Sequence, residues 1–472
     1  MSESARSEVR MGTATGRWVV TAAALGSGIT LLDGTVVNVA LRTIGEDLDA
    51  SLAELQWINN GYLLTLASLI LLGGSLGDRF GRRRLFVVGT VWFALASLLC
   101  GLAPTAETLV VARLLQGIGG GLLTPGSLAM IQGAFVREDR APAIGAWSGF
   151  GGIGAAIGPF LGGALIDAAS WRWIFLVNLP LAVAAIWIAV RHVPESRSST
   201  PTTHFDVLGA GLAMVALGGV TYALIQWGGL VAPVAGLVGV AAAAAFLLVE
   251  SRVWEPMMPL GLFSDRVFSA ANAITLLVYA ALASVLFFLV LQLQTVAGYG
   301  ALEAGVATLP VTVCMLLLAS RGGRLGVRIG PRIPMTVGPI LMGLSVALLL
   351  GVDRDTSYWI DVLPGLTGFG LGLALMVAPL TATVLAAAPD PQAGIASGIN
   401  NAVARTGSLL AVAALPPLAG LSGQEYADPA ALDAAYDIAT LACAGLLVAG
   451  GIVSWLTIPA GVLRNDSVDH GP

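Results

Sequence analysis

The chain has 472 residues, of which 56% are hydrophobic and only 11% are charged, and its mean hydropathy is +0.86. Soluble globular proteins carry about 25% charged residues, so the composition excludes that class and indicates a membrane protein. The formal net charge of −5 says little about partners, because the charges of a membrane protein are separated by side of the bilayer, and no nucleic acid is expected to bind.

Apolar runs of about 20 residues are long enough to cross the hydrocarbon core as helices. They lie near residues 18–40, 55–77, 85–103, 107–134, 141–166, 172–192, 206–227, 231–250, 267–293, 302–320, 333–352, 359–387, 394–420 and 436–458. The runs lack the alternation of barrel strands. The sequence therefore predicts an all-α membrane protein with about fourteen transmembrane helices.

The first predicted span contains a carboxylate, Asp33, well inside its apolar sequence. At about 1.5 Å per residue, Asp33 lies roughly 20 Å from the cytoplasmic end of the helix. An acidic side chain at this depth costs on the order of 3 kcal/mol, so it must face protein or water, and it is a candidate for reversible protonation. The alternative is an aspartate that only hydrogen-bonds a neighbouring helix. The segment resembles the first-helix motif of the fourteen-span drug:proton antiporters, although Arg42 stands where that family usually has proline.

A short, arginine-rich turn at residues 74–86 separates the second and third spans. Such a turn is natural at the cytoplasmic face of a membrane protein, where basic residues accumulate. Its pattern resembles the loop between helices 2 and 3 of major facilitator superfamily transporters. That resemblance implies a latch that holds the cytoplasmic side in the outward-open state. We therefore assign gating to Gly74, Asp78, Arg79, Gly81, Arg82 and Arg83.

The fourth span contains a buried basic residue, Arg113, followed by Gln116 and a glycine run. At i and i+3, the two side chains share one helix face. A guanidinium stays charged, so Arg113 beside Asp33 would modulate the proton affinity of that carboxylate. The string resembles the fourth-helix motif of the same superfamily, in which a buried arginine is implicated in proton transfer. The alternative is an arginine that only fixes helix packing.

The fifth span carries small residues at a spacing of four, which make a groove for close helix contact, and a proline that can kink the helix. Packing alone would explain this pattern. The full string nevertheless resembles the antiporter motif of the fifth helix, which is typical of exporters. That resemblance implies a conformational role for Gly154, Gly158, Pro159, Gly162 and Gly163.

Several polar and aromatic residues within the spans are candidates for lining a substrate cavity, although ordinary packing explains them equally well. They are Asn38, Tyr62, Gln116, Trp147, Gln292 and Asn400. The segment from Trp171 to Pro180 also resembles the fourteen-span exporters, and its two tryptophans fit an interfacial belt.

An internal repeat relates the two ends of the chain. An offset of 249 carries Gly74 to Gly323 and Gly81 to Gly330, whereas Asp33 maps onto Leu282. Two six-helix repeats with a binding site between them near the midplane are the architecture of the superfamily. We predict a six-helix bundle at 1–195, a two-helix insertion with linkers at 196–265, and a second bundle at 266–472.

The arginines indicate the orientation, since cytoplasmic loops accumulate basic residues. All 23 basic residues are arginine. Only Arg42, Arg172 and Arg354 fall in predicted outer segments, and Arg113 and Arg405 fall inside spans. We therefore expect a multi-pass protein of the inner or plasma membrane with both termini in the cytoplasm.

No GxxxxGK[ST] phosphate loop, catalytic triad or metal-ligand cluster is present in the sequence. We therefore expect no enzyme activity and no cofactor, with the proton gradient as the energy source. The resemblance implies a monomeric secondary transporter that exports hydrophobic, often cationic, drugs or antibiotics by alternating access in exchange for protons. The alternatives are a dedicated exporter of one endogenous metabolite or antibiotic and, from a different class, a non-transporting membrane sensor.

Overall fold

The computed structural model describes residues 9–197, 205–389 and 392–463, and these are almost wholly helical. The helices of the first half are α1 (Ala14–Leu48), α2 (Leu52–Phe80), α3 (Arg82–Gly101), α4 (Ala106–Ala134), α5 (Arg137–Ala168), α6 (Trp173–Leu176) and α7 (Asn178–His192). Next come α8 (Val207–Ile225) and α9 (Ala232–Glu250). The remaining helices are α10 (Arg266–Thr295), α11 (Ala301–Ala307), α12 (Leu309–Ile329), α13 (Arg332–Ala347), α14 (Leu363–Ala386), α15 (Ala393–Leu418) and α16 (Pro429–Thr457).

Several helices, α2 and α4 among them, begin where the sequence supplies side-chain caps for their first amide groups. Ser51 and Glu54 form a reciprocal capping box at the start of α2, and Thr105 and Thr108 form one at the start of α4. Such pairs satisfy backbone N–H groups that have no acceptor within the helix. The long apolar runs therefore start at defined residues.

The expectation of about fourteen spans is not confirmed. Within the described residues, 12 helices are long and apolar enough to cross a membrane. The two predicted spans outside this set are α15 and α5, and the apolar stretch found among the described residues of α5 is Ile157–Ala168. Both are long helices, but polar residues such as Asn400, Asn401 and Arg405 interrupt the apolar sequence of α15.

Two compact units make up the chain. The first contains residues 1–219 and 237–257, and the second contains 220–236 and 258–472, so the division falls inside the inserted helices α8 and α9. These two helices are the least buried of the candidate spans, and their apolar side chains, such as Leu208 and Leu237, are largely exposed.

The same packing pattern recurs in both units. In the first unit, α4 packs against α2 and α3, while α1 packs against α5 and α7. In the second, α14 packs against α12 and α13, while α10 packs against α15 and α16. Gly81 and Gly330, which the repeat relates, both follow a helix with positive φ, at 113° and 89°. Each unit therefore repeats one arrangement of helices, as the internal repeat predicts.

Candidate functional site

Asp33 lies near the middle of the 35-residue helix α1 and its side chain is completely buried. Three other helices of the first unit contribute polar side chains around it, namely α3, α4 and α7. A buried ionised carboxylate requires a counter-charge and hydrogen-bond donors, because the low-dielectric interior does not replace the water that it loses. The first unit supplies both.

The counter-charge is Arg113 on α4, which the sequence predicts as the partner of Asp33. Its Nη1 atom lies 2.5 Å from Oδ2 of Asp33, and neither side chain is exposed. Nε of the same guanidinium donates to the backbone oxygen of Ile58 at 2.9 Å. The rings of Tyr62 and Phe175 lie 4.5 and 5.6 Å from the guanidinium carbon. Ion pairing, hydrogen bonding and cation–π contacts thus hold the charge of Arg113 in place.

Gln116 joins the ion pair from one helical turn further along α4. Its Nε2 donates to Oδ1 of Asp33 at 2.8 Å, and its Oε1 accepts from Nη1 of Arg113 at 2.6 Å. The spacing of three residues therefore places both α4 side chains on the face that meets Asp33, as the sequence predicts. Gln116 is fully buried among protein groups.

Two further residues of the cluster, Ser97 on α3 and Asn178 on α7, were not predicted from the sequence. Nδ2 of Asn178 donates to Oδ1 of Asp33 and to Oγ of Ser97, both at 3.1 Å. Nε2 of Gln116 also donates to Oγ of Ser97, at 2.7 Å. Both side chains are fully buried. The available signal was a polar residue within each apolar run, and Asn178 lies in the segment noted for its resemblance to the exporters and for its interfacial tryptophans.

The cluster belongs to one unit only. The repeat relates Asp33 to Leu282, and Arg113 and Gln116 to Pro364 and Thr367. Residues that served only to pack the helices would be expected in both copies, since both copies pack alike. The polar cluster is therefore an addition to the common scaffold.

The glycines of α5 lie directly against the part of α1 that carries Asp33. A methyl group at Gly158 would overlap Oγ1 of Thr35, and one at Gly162 would overlap Val36. One at Gly154 would come within 3.2 Å of Cα of Gly28. Pro159 lies inside this helix and Gly163 is buried. The small residues thus allow the close contact between two helices that the sequence predicts.

The predicted turn at residues 74–86 is mostly helical, because α2 continues to Phe80 and α3 begins at Arg82, so the chain turns at Gly81. Residues on both sides of this turn form a network of charged and polar contacts. Arg82 pairs with Asp78 through Nη2 and Oδ1 at 2.8 Å. The guanidinium carbon of Arg79 lies 5.0 Å from the ring of Phe205. Gly74 lies near Pro125, and the φ of 113° at Gly81 is favourable only for glycine. These contacts are compatible with a latch, and the gating assignment remains a prediction.

Glu195, which was not predicted, holds this turn from the segment after α7. Its two carboxylate oxygens accept from the backbone N–H groups of Arg83 and Arg84, at 3.1 and 3.2 Å. The Arg83 side chain in turn donates to the backbone oxygen of Val193 at 3.0 Å. An acidic group at a helix N-terminus satisfies free amides and the helix dipole. Glu195 therefore caps α3 although it lies far from it in the sequence, so no local motif reveals the cap.

The predicted cavity residues are divided between the units. In the first, Nε1 of Trp147 donates to Oγ of Ser27 at 3.0 Å, and the Tyr62 ring contacts Arg113. Asn38 has a buried Oδ1 without a hydrogen-bond partner in the described part of the chain.

In the second unit, Nε2 of Gln292 donates to Val352 and Asp433 at 2.8 and 2.5 Å. Asn400 donates to Thr275 at 2.7 Å and to Asn272 at 3.2 Å. A role for any of these residues in substrate binding remains a prediction.

Comparison with known proteins places this architecture among transporters. The model of the Major Facilitator Superfamily matches residues 23–412. The chain is 36% identical over 409 residues to the tetracenomycin C resistance and export protein of Streptomyces glaucescens, covering 84% of this chain and 74% of that protein. It is 34% identical over 460 residues to the puromycin resistance protein pur8 of Streptomyces alboniger, covering 94% and 90%. The multidrug resistance protein Stp of Mycobacterium tuberculosis is 35% identical over 400 residues, covering 84% and 74%.

Solved structures agree at the level of the fold. A D-xylose-proton symporter superposes with a TM-score of 0.68 at 16% identity, covering 95% of this chain and 99% of that one. A bacterial homologue of the human lysosomal transporter Spinster superposes with a TM-score of 0.64 at 17% identity, covering 94% and 97%.

Proposed function

Because this chain belongs to the Major Facilitator Superfamily, we propose that it exports small, drug-like or antibiotic molecules across the cell membrane in exchange for protons. The chain is a multi-pass membrane protein and a transporter, not an enzyme. Resistance and export proteins among its relatives support the direction and the class of substrate. The close contact of the α5 glycines with α1 supports the same direction, through the resemblance of that motif to exporters.

The observation that carries the proposal is the buried ion pair of Asp33 and Arg113. Protonation of Asp33 would leave the guanidinium of Arg113 buried without its counter-charge, and such an uncompensated charge is strongly destabilising. The protonation state of one carboxylate is thereby linked to the conformation of the first unit. A proton bound from outside and released inside would drive alternating access and export.

The test is the substitution Asp33→Asn in everted membrane vesicles. Asparagine keeps the approximate shape of the side chain and one of its two acceptor oxygens, but it is uncharged and cannot take up a proton. We expect substrate-dependent proton movement to be lost, with the protein still inserted in the membrane. Wild-type rates of proton movement in this variant would exclude Asp33 as the coupling site.

We further propose that α5 and α15 also span the membrane, which gives fourteen spans with both termini in the cytoplasm. The two helices have 32 and 26 residues, and about 20 suffice to cross the hydrocarbon core. They pack along α1 and α10.

Single cysteines at the exposed positions Ser251 and Ser422 test the orientation. An impermeant thiol reagent applied to intact cells should label Ser422→Cys and leave Ser251→Cys unlabelled.

A second candidate is a dedicated exporter of one compound, because two of the relatives are named for a single antibiotic. A toxicity profile of cells with and without the protein separates the candidates. Protection against many unrelated compounds indicates a multidrug exporter, and protection against one indicates a dedicated exporter. Repeating the profile with the proton gradient collapsed tests the energy source, since protection should then disappear.

We propose that the working unit is the monomer.

A further inference from the structure

The two carboxamides that bind Asp33 differ in how firmly the structure holds them. Both Gln116 and Asn178 donate to Oδ1 of Asp33 and to Oγ of Ser97. The NH2 groups of the two side chains therefore donate to the same two acceptors. The difference lies entirely in their oxygens.

The oxygen of Gln116 is fixed. It accepts from Nη1 of Arg113 at 2.6 Å and lies 3.5 Å from Sγ of Cys100, which also donates to it. Turning this carboxamide by 180° would bring its NH2 group against the guanidinium, which has donors only. Gln116 therefore presents its NH2 group to Asp33 whether or not Asp33 is charged.

The oxygen of Asn178 is not held. Oδ1 is buried and, within the described residues, has no hydrogen-bond partner. Rotation of this carboxamide therefore breaks no bond made by its oxygen. Buried acceptors without a donor cost free energy, so a second orientation that gives Oδ1 a donor compensates for that loss.

We propose that Asn178 is a positioning residue that reverses its carboxamide when Asp33 binds a proton. The inference rests on the proposed proton coupling at Asp33. In the charged form, Oδ1 of Asp33 accepts from Nδ2 of Asn178. A proton taken from water forms an O–H bond at Oδ1, because Oδ2 stays paired with Arg113. That O–H group needs an acceptor, and the turned carboxamide supplies one with its Oδ1.

Ser97 is suited to both orientations, because a hydroxyl group both accepts and donates. It accepts from Nδ2 of Asn178 in the charged form. After the reversal, its own hydrogen can point to Oδ1 of Asn178. The Nδ2 atom then takes the place of the former Oδ1, where the described protein offers no partner. This cost favours return to the first orientation when Asp33 releases its proton.

The experiment is a pH titration of the purified protein followed by infrared difference spectroscopy, with asparagine carbonyls labelled by ¹³C. In the wild type, the carbonyl band of a newly protonated carboxyl group should rise together with a shift of one asparagine carboxamide band toward lower frequency. The variant Asp33→Asn should lose both signals. The variant Gln116→Leu should keep the asparagine shift, because Gln116 does not reverse.

The variant Asn178→Leu should lose the asparagine shift, and its carboxyl band should titrate about one pH unit higher. The hydrogen bond that Asn178 makes to charged Asp33 is stronger than the one that it makes to neutral Asp33. Its loss therefore destabilises the charged form more than the neutral form. The variant Asn178→Ser, which restores a group that donates and accepts, should titrate between the two. An asparagine shift that persists in Asn178→Leu, or a midpoint equal to that of the wild type, overturns the inference.

Titration does not depend on transport. If the carboxamide reverses in this experiment but transport in vesicles does not depend on protons, the proposed function is wrong and the role of Asn178 is still supported. The opposite result, proton-coupled transport without an asparagine shift, would remove only the role of Asn178.

Discussion

Arg113 and Asp33 form an ion pair with 2.5 Å between Nη1 and Oδ2, and neither side chain has any exposed surface. The two residues are 80 positions apart in sequence, on α4 and α1. A pair of this kind contributes little net stability when intact, but removal of one member leaves a buried charge. Loss of one charge should therefore change the stability of the first unit far more than loss of the whole pair.

Removing one member of the pair should destabilise the protein more than removing both. We expect Arg113→Leu to lower the free energy of unfolding by about 3–5 kcal/mol, because Asp33 is left uncompensated. The double variant Arg113→Leu with Asp33→Leu should recover a large part of this loss. Denaturant unfolding in detergent measures both. The exposed pair of Arg42 and Glu46 is the matched control, and Arg42→Gln should cost less than about 1 kcal/mol. A double variant no more stable than Arg113→Leu would contradict the prediction.

The contact between α5 and α1 can be tested by adding a single methyl group. We expect Gly158→Ala to abolish or strongly reduce transport, because its Cβ would overlap Oγ1 of Thr35. Gly145→Ala, in the same helix but with nothing within 4 Å of the added atom, should transport like the wild type. Adding Thr35→Ala to Gly158→Ala should restore part of the activity. Equal transport by the two single glycine variants would show that the contact is unimportant.

Glu195 should stabilise the start of α3. Replacement by alanine leaves the amides of Arg83 and Arg84 without an acceptor, so we expect a loss of about 1–2 kcal/mol in the free energy of unfolding. Glu195→Gln keeps an acceptor oxygen and should lose less. The exposed Glu46 serves as the control, since Glu46→Ala removes the same charge without removing a cap. The prediction fails if the two alanine variants are equally stable.

Gly81 is constrained both by its backbone and by its neighbour. Any side chain there is strained by the φ of 113°, and a Cβ would lie 2.8 Å from the Glu195 carboxylate. Gly298, with a φ of 74° and nothing within 4 Å, has the backbone strain alone. We expect Gly298→Ala to cost roughly 1 kcal/mol and Gly81→Ala clearly more, as thermal unfolding would show. The loss of stability in the double variant Gly81→Ala with Glu195→Ala should be smaller than the sum of the losses in the two single variants.

Part of the site could be predicted because the relevant signals are local. Asp33 and Arg113 are charges inside apolar runs, and the high cost of such charges in lipid marks them wherever they occur. Gln116 follows from helical spacing on the same face as Arg113. The small residues around Gly158 identify a close helix contact, although the sequence does not name α1 as its partner.

Ser97, Asn178 and Glu195 could not be assigned in the same way. Serine and asparagine are tolerated in many helices, so neither one signals a site until its neighbours are known. Asn178 comes 145 residues after Asp33, and Glu195 comes 112 residues after Arg83. The contact between Asn178 and Asp33 exists only because α7 packs against α1 and α3.

The sequence by itself determined the membrane class, the long apolar helices, the internal repeat and the two charges within those helices, Asp33 and Arg113. These properties depend on composition and on periodicity along the chain, which lipid constrains strongly because every backbone polar group must be satisfied within a helix. The tertiary structure alone decided which polar side chains surround Asp33 and that Glu195 caps α3. It also decided that the oxygen of Gln116 has donors, whereas that of Asn178 has none among the described residues. Hydrogen bonds between helices depend on distances of about 3 Å, and only the packed unit sets those distances.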